Sequence, residues 1–83
     1  MIYTVIWIKP ALNALANIWN LAPDRQAVTQ ASHLIDQELR VDAHRKGLPL
    51  GSGRFLLRPP LAVTFKADPG DCMVRVLQVK RFP

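Results

Sequence analysis

The chain has 83 residues, which is enough for one modest core and excludes a catalytic domain joined to a regulatory one. With 49% hydrophobic and 20% charged residues, it is too apolar for a disordered tail. The net charge of +5 falls wholly in the second half. Up to Arg40, the cations Lys9, Arg25 and Arg40 balance Asp24, Asp36 and Glu38; beyond it, Arg45, Lys46, Arg54, Arg58, Lys66, Arg75, Lys80 and Arg81 face only Asp42, Asp68 and Asp71. Such segregation is expected of a surface that meets nucleic acid or an acidic protein segment.

The single Cys72 excludes an internal disulfide and fits a reducing compartment. The apolar start, Met1 to Ile8, has neither the basic region nor the cleavage site of a signal peptide and is far shorter than a membrane span. The expectation is a cytoplasmic protein with no membrane partner, and residues 1–83 read as a single domain.

Ile2 to Ile8 is dense in β-branched and aromatic residues and reads as a strand. Pro10 suits the first turn of a helix. From there to about Leu21, the residues Leu12, Leu15, Ala16 and Trp19 recur at helical spacing. Ala22-Pro23-Asp24 breaks this helix and offers Pro23 as the first residue of the next, whose apolar stripe is Val28, Ala31, Ile35 and Leu39. So short a joint makes the two helices antiparallel. Residues 41–53, with Gly47, Pro49, Gly51 and Gly53, read as a crossover loop.

Three strand-like runs follow, Arg54 to Arg58, Leu61 to Lys66 and Cys72 to Phe82, punctuated by Pro59-Pro60 and by Asp68-Pro69-Gly70-Asp71. They predict an antiparallel meander. The expected fold is α+β, in the order strand, helix, helix, strand, strand, strand, with a helical hairpin packed on one face of a small antiparallel sheet. The expected core between helices and sheet is Trp7, Leu15, Trp19, Val28, Ile35, Leu39, Phe55 and Phe65. Alternation along the first meander strand places Arg54 and Arg58 opposite Phe55 and Leu57, so a basic outer face is expected to carry Arg54, Arg58, Lys66, Lys80 and Arg81. The last strand alternates less cleanly, and a bulge near its end would present Lys80 and Arg81 together.

Other chemistry has little support. His33, His44 and Cys72 show no zinc-type spacing, and a solvated helix face accounts for His33 and Asp36 one turn apart. No metal or cofactor is expected. Cys72 has no histidine at a spacing that would activate it. Gly47, Gly51 and Gly53 precede a strand, so they lack the helix N-terminus of a phosphate cradle.

The opening Tyr3-Thr4-Val5-Ile6-Trp7, the helix Ala11 to Trp19, the strand containing Arg54 and the ending Arg75-Val76-Leu77-Gln78-Val79-Lys80-Arg81 resemble the RelE/ParE superfamily of bacterial toxins, which includes plasmid stabilisation proteins. The resemblance covers essentially the whole chain and rests on the co-occurrence of these elements, since no single motif is specific. It implies a type II toxin neutralised by a cognate antitoxin. Family members divide between metal-independent endoribonucleases that cut messenger RNA in the ribosome and inhibitors of DNA gyrase that do no chemistry.

Carried over residue by residue, Arg54 and Arg81 match basic positions of the ribonuclease members. Leu61-Ala62 stands where the family often has Tyr-Arg, Gln78 where many members have His, and the tyrosine found beyond the sheet in some members is missing. Cleavage by the RNA's own 2′-hydroxyl needs a base, an acid and cations for the charge on phosphorus. Arg54, Lys66, Lys80 and Arg81 are the candidate catalytic cations, and Arg45, Lys46, Arg58 and Arg75 the candidate nucleic-acid contacts. For proton transfer, Lys66 or Lys80 would need a lowered pKa, or His44 would have to reach in from the loop. Three readings stay open: a ribosome-associated ribonuclease, a gyrase inhibitor of the ParE type, and an inactivated relative acting as a binding module.

Overall fold

The computed structural model of the chain describes residues 1–82. Five strands, β1 (Thr4–Trp7), β2 (Leu48–Leu50), β3 (Gly53–Arg58), β4 (Leu61–Asp68) and β5 (Met73–Arg81), form one sheet in the order β1-β5-β4-β3-β2. Helices α1 (Lys9–Leu21) and α2 (Arg25–Leu39) cover one face of it. The sheet is antiparallel throughout except at β1, which lies parallel to β5 with Thr4 opposite Met73 and Trp7 opposite Val76.

Two elements differ in detail from expectation. The segment 41–53 is not a plain loop, because a 3-10 turn at Ala43–Arg45 leads into β2, which pairs Leu48 with Phe55 and extends the meander to four strands. Pro23 stands outside α2, which begins at Arg25 after the non-helical Asp24.

The core joins Val28, Ala31, Ile35 and Leu39 of α2 to Leu56, Leu61, Val63, Phe65, Val74, Val76 and Val79 of the sheet. Trp7 and Leu15 pack partly buried against it, whereas Trp19 is 41% exposed. The Trp19 indole N–H donates to the Thr29 hydroxyl at 3.1 Å and Arg25 lies over its ring, so this tryptophan ties the helices together at their rim. Phe55 is not in the core. Leu56 pairs with the fully buried Val63, so it is Leu56 that faces the helices, and Phe55 and Leu57 look out from the opposite face.

Gly47 has a left-handed backbone (φ +67°), and a side chain there would run into the carbonyl of Phe55. Only glycine lets the loop cross β3 at this point.

Candidate nucleic-acid interface

The face of the sheet turned away from the helices is organised in rows by the strand register. One row runs Ile6, Arg75, Lys66; the next Gln78, Thr64, Phe55, Leu48; the third Lys80, Ala62, Leu57. The rows align because the pairing shifts between Thr64 and Phe65, inserting an extra residue in β5. This bulge reverses the alternation of β5, so Val76 and Val79 both face the core while Arg75 and Lys80, of opposite parity, share the open face. The same reversal sends Arg81 to the helix side, where it pairs with Leu61 across the sheet. The expected bulge is present but separates Lys80 from Arg81.

The cations expected on one face are therefore divided. Lys66, Arg75 and Lys80 are exposed on the open face, and among the described residues none has an acidic side chain within ion-pair distance. Arg58, sharing the parity of Leu56, turns to the helices and forms a two-pronged ion pair with Glu38 of α2. Arg81 reaches Asp24 at 2.9 Å, and their hydrogen bond holds the Asp24 carboxyl below the ordinary carboxylate range and raises the Arg81 guanidinium. Arg54 also points to the helix side, where it donates through Nε to the Lys46 carbonyl at 2.5 Å and through Nη2 to that of Gly47 at 3.1 Å. It clamps the loop to β3. Arg45 and Lys46 lie in and just after the 3-10 turn of that loop.

His44 is the functional candidate that sequence spacing did not connect to the others. The same turn carries it back to the sheet, where its Nδ1 shares a 2.7 Å hydrogen bond with the hydroxyl of Tyr3, a residue only 3% exposed. Burial raises the pKa of the Tyr3 phenol, which stays protonated at neutral pH. With Nδ1 occupied, Nε2 is the nitrogen left for exchange with a ligand. His44 lines a cleft of about 300 Å³ together with Gly53, Arg54, Lys66 and Pro69. His44, Arg54 and Lys66 thus border one hollow at the end of the sheet, Arg54 from the helix side and Lys66 from the open face, and a second hollow beyond it is lined by Lys66, Asp68, Arg75 and Leu77. Among the described residues no three His, Cys, Asp or Glu side chains gather as a metal site, and no helix is long and apolar enough to cross a membrane.

Compared by sequence, the chain matches no protein-family model and no curated protein. Compared by fold, it is similar to a chain of the toxin-antitoxin complex RelBE2 from Mycobacterium tuberculosis, with a TM-score of 0.75 at 19% identity over 98% of this chain and 92% of that one. It is similar also to a chain of the chromosomal ParDE system of P. aeruginosa (TM-score 0.71, 15% identity, 99% and 98% covered) and of the intact E. coli RelBE complex (0.53, 15%, 98% and 98%). The two helices on a five-stranded mixed sheet are the fold of the RelE/ParE toxins.

Proposed function

We propose that the chain is the toxin of a type II toxin-antitoxin pair and that its target is RNA, cut at the ribosome without a metal. The observation that carries this reading is His44, held by Tyr3 in the wall of the cleft that Arg54 and Lys66 line. The reaction is attack of a ribose 2′-oxygen on the adjacent phosphorus. Its proton goes to a base, the bond from phosphorus to the 5′-oxygen breaks, and that oxygen takes a proton, leaving a 2′,3′-cyclic phosphate and a 5′-hydroxyl. His44 is the proton carrier through Nε2, and the Lys66 ammonium offsets the charge that builds on the phosphate oxygens. Arg54 spends two of its donors on the loop and keeps the other Nη for an anion. Arg58 and Arg81, bound to Glu38 and Asp24, serve the scaffold in this reading, and Lys80 binds rather than reacts.

The fold neighbours from M. tuberculosis, P. aeruginosa and E. coli are toxin-antitoxin systems, which supports a cognate antitoxin as the partner. Its natural seat is the open face, where unpaired cations await acidic side chains.

Induced expression decides the target. Under this reading translated messages are cut, and His44→Ala and Lys66→Ala suppress the cutting without unfolding the protein. Filamentation and a DNA damage response with intact messages would overturn the RNA reading in favour of gyrase, and no phenotype at all would leave a binding module.

A further inference from the structure

Cations alone do not describe the open face. Its middle row is Gln78, Thr64, Phe55 and Leu48, and in it Phe55 is a partly buried aromatic ring set between the Lys66–Arg75 row and the Lys80 row. At about 3.3 Å per residue along β4, the two cation rows stand about 13 Å apart with the Phe55 row midway. Phe55 adds nothing to the core, which Leu56 fills on the other face, yet it keeps a large apolar surface partly wet. Leu48, its partner in β2, is 69% exposed, and a groove of about 350 Å³ lined by Gly47, Leu48, Phe55, Leu56, Leu57 and Arg58 opens at this edge of the sheet.

We propose that the open face seats a single strand of RNA with one base stacked on Phe55 and the flanking phosphates on Lys66 with Arg75 and on Lys80. The inference rests on the RNA reading above and names the residue that holds a base. An aromatic ring flanked by cations along a groove is the arrangement that binds single strands, because every base has a π-face and every nucleotide a phosphate. Thr64 and Gln78, next to Phe55 in the same row, bring hydroxyl and amide groups to the edge of the stacked base. A duplex is excluded, since its bases are stacked on one another and present no free face to Phe55.

The test uses a 2′-O-methyl RNA oligonucleotide, which binds but cannot be cut because the attacking hydroxyl is blocked. Phe55→Ala should weaken binding about tenfold at every salt concentration, the loss that goes with one stacked base. Lys66→Ala and Lys80→Ala should each lower the salt slope by about 0.7, the value for one phosphate of a single strand. Phe55→Trp supplies a fluorophore at the site, and its emission should be quenched when the oligonucleotide binds. Binding by Phe55→Ala as tight as the parent's, unchanged Trp emission in the complex, or equal affinity for a duplex would overturn the proposal, as would failure of the parent to bind. If the parent binds the oligonucleotide in this way while messages stay intact in cells, the cleavage reading fails and the stacking site stands. If messages are cut and the Phe55 variants bind like the parent, the reverse holds.

Discussion

Lys66 of β4 and Arg75 of β5 stand directly opposite each other on the open face, two cations in one cross-strand pair. The Arg75 guanidinium has the Met73 sulfur at 3.9 Å as a neighbour, and among the described residues no acid forms an ion pair with either cation. Like charges at this spacing cost stability. Arg75→Glu turns the pair into an attractive one and should stabilise the fold by about 0.5 kcal/mol, while RNA and antitoxin binding fall. Thermal unfolding and binding, measured on the same variant, should move in opposite directions; a loss of stability would contradict the geometry.

The salt response of the antitoxin complex follows from the same face. Association with the acidic segment of a co-encoded antitoxin should slow as salt rises, because the attraction is screened, while dissociation changes little. Lys66→Glu and Lys80→Glu should slow association further. Arg54→Glu, by contrast, strikes the loop clamp and should show first as lost stability. Stopped-flow rates across a salt series separate these outcomes.

The Asp24–Arg81 pair predicts an acid limb. Its hydrogen bond lowers the folded-state pKa of Asp24, so the contribution is complete above the unfolded pKa and is lost as pH falls through the folded one. Below about pH 4, the parent should therefore lose stability more steeply than Asp24→Asn, and the two curves should converge. Denaturant midpoints between neutral pH and strong acid test this, and parallel curves would show that the pair does not persist in solution.

Gly47 should tolerate no side chain. Gly47→Ala combines a left-handed backbone with a collision at the Phe55 carbonyl and should cost about 3 kcal/mol. Because Arg54 holds the carbonyls of Lys46 and Gly47, the loop that carries His44 should loosen with it. Faster amide exchange across residues 43–50, or outright unfolding, is the expected result.

Helical spacing and β-rich runs were enough to read both helices and four of the strands, because Val28, Ala31, Ile35 and Leu39, like Leu61, Val63 and Phe65, repeat with the period of the face they bury. The face of β3 was not legible. Phe55, Leu56 and Leu57 are apolar without a break, so alternation fits either side, and only the pairing of Leu56 with Val63 decides it. The arginines at each end of that strand looked like an outer basic face. They turn inward because Glu38, twenty residues before Arg58, and the carbonyls of a loop whose path the sequence does not fix satisfy them there. Leu48-Pro49-Leu50 was too short and too rich in turn residues nearby to declare itself a strand. His44 was hidden for a different reason: what makes it a candidate is its hydrogen bond to Tyr3, at the other end of a separation of 41 residues.

The parallel pairing of β1 with β5 has a bearing on when the sheet is completed. A ribosome releases Thr4–Trp7 early, yet its partner Met73–Arg81 emerges only after both helices and the first three strands of the meander have left the tunnel. Until then β1 has no edge to join, Trp7 has no Val76 beside it, and α1 lacks the sheet it rests on. Closing so long a loop is also slow relative to forming the local hairpins. The open face is therefore completed late, because β5, which joins β1 to the rest of the sheet, is the last of its strands in chain order.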